Sequence, residues 1–330
     1  MRRTRHAACT ATSIVALIAA LLLTPALSSR ADDFPTKPIR IVVPYAAGGS
    51  VDPIARLVAD RLGKVIGQSV VIENRPGAGG NIGIEAVVRG PHDGYTLLAT
   101  PSAVTINPSL YAKVPYDLDD DLIPLSLVNR NAMIVLVNPS SGIASLGDLV
   151  ARAHQPGASL NYAITGNGTL DHLVCENLRA SAHLDMVKIN YQGVPKAITA
   201  LMAGEVQVMA ASATAALPYV KSGQLKAIAV TSAERSPYFP GAPTMRELGY
   251  PDFVMYGWSM LFAPAGVPPA IVATLHDDIA KVVAQPDVTR IIADMGSEAQ
   301  ALSLAELRAY VHREAAYFGK IVRSSGARAD

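Results

Sequence analysis

From Ile39 onward the chain alternates short β-branched runs with stretches of helical period, and nothing else in the sequence constrains its fold as strongly. Residues 39–44 (IRIVVP) read as a strand buried on both faces. Residues 52–66 follow with Ile54, Val58, Leu62 and Val65 at helical spacing. The two periods recur downstream. Strands are predicted over 69–73, 95–99, 133–137, 160–164, 187–191, 206–209 and 225–231. Helices are predicted over 82–88, 146–153, 170–180, 195–203, 217–222, 268–283, 287–295 and 304–322. Such βαβ alternation specifies mainly parallel sheets with helices on both faces. The chain crosses between two such halves near residues 131–137 and again near 253–258. The domains expected are therefore 32–132 with 257–330, and 133–256. A chain that leaves one α/β unit, builds a second and returns has the layout of two lobes closing over a ligand.

Residues 1–31 read differently. Arg2, Arg3 and Arg5 precede an uncharged apolar run over 11–23, and small residues follow, with cleavage expected after Ser28 or Ala31. That order is a secretory signal peptide. A membrane anchor needs roughly 20 apolar residues, and Pro25 with the small residues after it favours cleavage. Cys9 precedes the apolar run instead of following it, which excludes a lipoprotein site. Without Arg2, Arg3, Arg5 and Arg30 the 28 basic residues fall to 24 against 27 acidic ones. A near-neutral chain with no basic run is not built for nucleic acid. Cys9 and Cys175 are too few for a disulfide scaffold or a cysteine metal site.

Gly-rich turns open two of the helices. In the first, residues 44–53 (PYAAGGSVDP), Asp52 reads as an N-cap and Pro53 as the first helical residue. Gly48 and Gly49 allow dihedrals that expose successive N–H groups, which with the helix dipole form an anion site. In the second, residues 165–172 (TGNGTLDH), Thr169 reads as the N-cap. Each turn alone is equally a plain βα connection. One per lobe, they can together grip a carboxylate. A third, Gly77-Ala78-Gly79-Gly80, lacks the spacing and the downstream acid of a dinucleotide fingerprint and reads as structural.

Catalytic signatures are missing. There is no G-x-S-x-G and no H-E-x-x-H. Asp171 and His172 are adjacent, so on a helix they diverge, and the other histidines have no metal-ligand spacing. Cys175 reads as a small buried hydrophobe. No cofactor and no metal are expected.

In its ordered blocks the chain resembles the Bug family, the substrate-binding proteins of tripartite tricarboxylate transporters. The blocks are YAAGGSVD at 45–52, ENRPGAGGNIG at 73–83, DGYTLL at 93–98, INPSLY at 106–111, NYA at 161–163, residues 166–173 and 225–231, APT at 242–244 and residues 257–268. The resemblance runs from Pro35 to about Ala315. It implies an α/β, two-lobed periplasmic-binding-protein fold, type II-like (Venus flytrap), with two doubly wound domains joined by hinge strands. It implies a non-enzymatic periplasmic monomer that delivers a small carboxylate to membrane subunits of a transporter. It places Tyr45, Ala47, Gly48, Gly49, Ser50 and Asp52 at the ligand on one lobe and Gly166, Asn167, Gly168 and Thr169 on the other. Ser102, at a strand end facing the crevice, and Ser212 complete the set. The sequence departs from the family pattern at Gln207, at Gln192 and in the small uncharged segment 210–214, which favours a plain carboxylate over an amino acid. Rival readings are a carboxylate sensor or scavenger uncoupled from transport, and a periplasmic hydrolase.

Overall fold

The computed structural model describes residues 34–329. The signal peptide expected over residues 1–31 lies outside them. The compact unit described below begins at Lys37.

The first half-sheet begins with β1 (Ile39–Val43), whose Ile39, Ile41, Val42 and Val43 are at most 1% exposed. Burial on both faces explains the unbroken apolar run. Helix α1 (Asp52–Ile66) and β2 (Val70–Asn74) follow, then α2 (Asn81–Val88), β3 (Thr96–Pro101) and α3 (Ala103–Leu110). Strands β2 and β3 flank β1 in parallel.

The long β4 (Leu122–Val137) leaves this sheet and founds the second. Its first part runs antiparallel to β9 (Tyr256–Pro264) as far as Ala132↔Tyr256. From Met133 onward it pairs instead with β7 (Val208–Ser212) on one side and β8 (Lys226–Val230) on the other. Helix α4 (Leu146–Ala153) leads to β5 (Leu160–Ile164), α5 (Leu170–Ser181), β6 (Met186–Asn190) and α6 (Val194–Ala203). Helix α7 (Ala213–Lys221) follows β7 directly. Strands β6, β5 and β7 are parallel. The strand order is β2-β1-β3-β9-β4-β7-β5-β6, with β8 and β10 (Glu298–Ala299) also on β4. Helices α8 (Pro269–Val283), α9 (Pro286–Asp294) and α10 (Leu304–Ser325) close the chain.

Two features tie the halves together. Buried Thr231 staples the crossing: its N–H donates to the Met133 carbonyl at 2.9 Å, its Oγ1 accepts from Met133 N at 3.0 Å, and the hydroxyl donates to the Met255 carbonyl. Helix α10 packs Leu307 and Val311 into the first core beside Trp258 and Phe262. Its Phe318, Ile321 and Val322 enter the second core beside Met133 and Leu173.

The fold is the expected mixed α/β architecture, its strands joined in one continuous order through β4. Sequence periodicity missed α3, which carries Pro108, and β9. It also missed the first part of β4, where Asn129, Arg130 and Asn131 break the apolar pattern. The helix expected over 217–222 begins earlier, at Ala213, because Ser212 caps it by accepting from Ala215 N.

Candidate ligand-binding site

A cavity of about 760 Å3 lies at the C-terminal ends of the parallel strands, walled by both halves of the sheet. This is where ligands lie in open α/β sheets, because every βα turn opens there. Six helices begin at it. The turn before α1, and the N-caps Gly80 of α2, Ser102 of α3, Thr169 of α5, Gly193 of α6 and Ser212 of α7, all line the cavity. Each helix end carries roughly half a positive charge. No Lys, Arg or His is among the described lining residues, and Asp171 is the lone carboxylate.

In the first turn the positive φ, +78°, falls on Gly48. Asp52 is not the N-cap. That position is Val51, and Asp52 occupies the first helical turn. Its carboxylate folds back to accept from Gly48 N (3.0 Å), from Asn74 Nδ2 (2.9 Å) and from Arg56 Nε and Nη2 (both 3.0 Å). Burial pushes the Asp52 carboxyl up, but these donors outweigh it and hold the group below its usual range. Gly49 N donates to the Ala46 carbonyl at 3.3 Å. The glycine N–H groups that looked free in the sequence are therefore engaged within the turn. Among the described residues, the N–H groups of Ala47 and Ser50 have no partner, and both residues line the cavity.

The second turn is built the same way. Thr165 donates through N (2.7 Å) and Oγ1 (3.0 Å) to Asp171, whose carboxyl burial pushes up against these opposing hydrogen bonds. Thr169 Oγ1 donates to the Gly166 carbonyl at 2.7 Å and does not cap its helix. Gly168 N points to His172 Nδ1 at 3.5 Å. The N–H groups of Gly166 and Asn167 are left without a partner among the described residues, again on the cavity.

Of the twelve residues expected at the ligand, Tyr45, Ala47, Gly49, Ser50, Ser102, Gly166, Asn167, Thr169 and Ser212 line the cavity. Gly48, Asp52 and Gly168 stand behind the wall and hold the turns in shape. Arg56 also lies off the cavity, half exposed and committed to Asp52. Gln207 bonds Asn161 N and the Gly204 carbonyl, a strand-end role, whereas Gln192 lines the cavity. Cys175 is buried and unpaired.

Several lining residues had no signal in the sequence. The third Gly-rich turn, read as structural, forms part of the wall: Tyr45 Oη donates to the Gly79 carbonyl at 2.9 Å. Tyr111 Oη donates across the cavity to the Asn167 carbonyl at 2.9 Å. Asn167 is also held from behind by Lys188 Nζ, which donates to its Oδ1 at 3.3 Å. Its Nδ2 donates to the carbonyl of Ala329, so the chain's last described residue reaches the cavity. Asn131, Met133 and Trp258 form the floor where β4 and β9 cross. These residues come from segments far apart in sequence, so no local spacing marks them.

A crevice at the strand ends, bordered by the paired strands β4 and β9 and met by six helix N-termini, is the site of a solute-binding protein. The chain belongs to the tripartite tricarboxylate transporter receptor family, which matches residues 54–327. It is 33% identical over 323 residues to Protein BugT of Bordetella pertussis, covering 96% of this chain and 98% of that protein. It is similar to the periplasmic binding protein BugD (TM-score 0.84, 29% identity, 89% of this chain and 99% of that one). An adipate-bound protein of R. palustris matches with TM-score 0.86 and 30% identity, over 89% of this chain and 99% of that one. MatC from Rhodopseudomonas palustris, with bound malate, gives 0.83 and 30%, over 88% and 100%.

Proposed function

We propose that the protein is exported to the periplasm, loses residues 1–31, and captures a small carboxylate between lobes 32–132 with 257–330 and 133–256. It then presents this ligand to the membrane subunits of a tripartite tricarboxylate-type transporter. The observation that carries the reading is the convergence of six helix N-termini on one cavity whose described lining holds no cationic side chain. Such a site attracts an anion through backbone dipoles and N–H groups, and water bridges the remaining gaps. The first carboxylate sits between the unpaired N–H groups of Ala47 and Ser50 and those of Gly166 and Asn167. The adipate and malate carried by related structures support the ligand class. Among the described residues no His lines the cavity and no lining serine is hydrogen-bonded to a carboxylate, which favours a receptor over a hydrolase.

Trp258, the single tryptophan of the chain, is among the residues lining the cavity, its side chain 1% exposed and its Nε1 donating to Glu314 at 2.8 Å, and serves as an intrinsic probe of the wall. Titration of the mature protein with a panel of organic acids should change its emission. The bound acid should also raise the melting temperature, since it binds only the folded state. A panel that moves neither signal refutes carboxylate capture.

A further inference from the structure

Behind the second Gly-rich turn stands a cation without an anion. Lys188 is half-buried on β6 and pairs in register with Tyr162 on β5, so both side chains rise from one face of the sheet. Helix α5 covers that face, since Tyr162 Oη donates to Glu176. Among the described residues Lys188 forms no ion pair. Glu176 is taken by Tyr162 and by Arg179, whose Nε donates to it at 2.9 Å. Asp171 is taken by Thr165. The His172 ring carries no charge at neutral pH, because burial first and the Lys188 ammonium second hold its pKa down.

Among the described residues the one acceptor of the ammonium is Asn167 Oδ1, at 3.3 Å. Asn167 is tied at every polar atom but one. Its carbonyl accepts from Tyr111 Oη at 2.9 Å and its Nδ2 donates to the Ala329 carbonyl. The backbone N–H alone stays open, on the cavity. A cation partly withdrawn from water is costly unless an opposite charge comes near it. In such surroundings a charge also acts over several ångströms, less screened than at the surface.

We propose that Lys188 is the counter-charge of the bound carboxylate: it holds Asn167 in place and supplies, from behind the wall, the positive charge that the described lining residues lack. Lys188 is a positioning residue, acting through Asn167 without touching the ligand. The inference rests on the reading above, in which a carboxylate sits at the N–H groups of Gly166 and Asn167. It adds a fixed full charge to the helix dipoles of that reading.

Calorimetric titration of the mature chain with succinate, malate and adipate tests this in three variants. Lys188→Gln keeps a donor for Asn167 Oδ1 and loses the charge. It should weaken the best-bound acid about tenfold, the effect of a unit charge several ångströms away in partly screened surroundings. Lys188→Met should lose at least as much. Lys188→Arg keeps the charge and should stay within about threefold of native. Added salt should lower the native affinity more steeply than that of Lys188→Gln. Lys221→Gln removes the same charge from the exposed end of α7 and should leave affinity unchanged. Strand β6 is at the edge of the sheet, so these changes leave the core intact, which thermal melts check. Native affinity in Lys188→Gln shows that the hydrogen bond alone matters and overturns the inference. So does a loss in Lys188→Arg or Lys221→Gln as large as in Lys188→Gln. If no acid binds the native chain, the carboxylate reading itself falls and the inference falls with it.

Discussion

At Gly79 the two halves of the cavity wall touch, and a single methyl group there tests whether closure and binding are coupled. Its φ is +62°, and a Cβ would lie 2.4 Å from the Asn167 carbonyl oxygen and 2.5 Å from Tyr111 Oη. Ordinary contact begins at 3.4 Å, so the third turn and the second turn must separate by about 1 Å in Gly79→Ala. Neither neighbour yields easily, because one is backbone and the other is hydrogen-bonded to it. Gly223 is a matched control: its φ is +73° and nothing lies within 4 Å of its added Cβ. Gly223→Ala therefore bears only the left-handed backbone cost, about 1 kcal/mol. Gly79→Ala bears the same cost plus the Tyr111–Asn167 bond and the lost packing around it, together about 2 kcal/mol charged to the closed form. Binding that needs closure should weaken roughly thirtyfold. Trp258 emission titrations give the affinities, urea unfolding gives the stabilities, and small-angle scattering should show a larger radius of gyration for Gly79→Ala. Native affinity in Gly79→Ala, or a loss no greater than that of Gly223→Ala, refutes the reasoning.

Three further outcomes are expected. Arg56→Ala should cost about 1 kcal/mol of binding or less, because the guanidinium is half exposed and braces Asp52 from behind the wall; a loss of several kcal/mol in calorimetry would reveal a direct ion pair with the ligand. His172 is 1% exposed, and burial, reinforced by the Lys188 charge and opposed by Glu176, lowers its pKa to about 4. The unfolded chain takes up a proton near pH 6.5 that the folded chain refuses until about pH 4, so stability should fall as pH drops through that window, by about 3 kcal/mol. His172→Gln should flatten that slope in denaturant titrations, and an unchanged slope would place the acid sensitivity elsewhere. Truncation after Arg328 removes the Ala329 carbonyl from the Asn167 amide, which a ligand oxygen can then occupy. Affinity should rise a few fold, the worth of about one neutral hydrogen bond, and an unchanged dissociation constant in calorimetry would show that the tail does not compete.

The architecture was legible from Ile39 onward because strand burial and helical period leave local marks. Each βα turn also announces itself by Gly, Asp and Pro at fixed offsets. The resemblance of the ordered blocks pointed to the family that residues 54–327 confirm. Detail failed where a neighbour decided the outcome. Asp52 looked like a cap, yet Arg56 and Asn74 draw its carboxylate back over Gly48. Gly49 looked like an anion donor, yet its N–H closes the turn onto Ala46.

Sequence by itself determined the parallel βα units and the Gly-rich turns, since these depend on residues within a few positions of one another. Only the tertiary structure decided which N–H groups stay open, that Ala78–Gly80 joins the wall, and that Tyr111 reaches Asn167 across it. It also decided that Ser102 and Asn131 line the same cavity. The reason is physical: a hydrogen bond between distant segments forms only once the sheets have set their separation, and its partners need no common period along the chain.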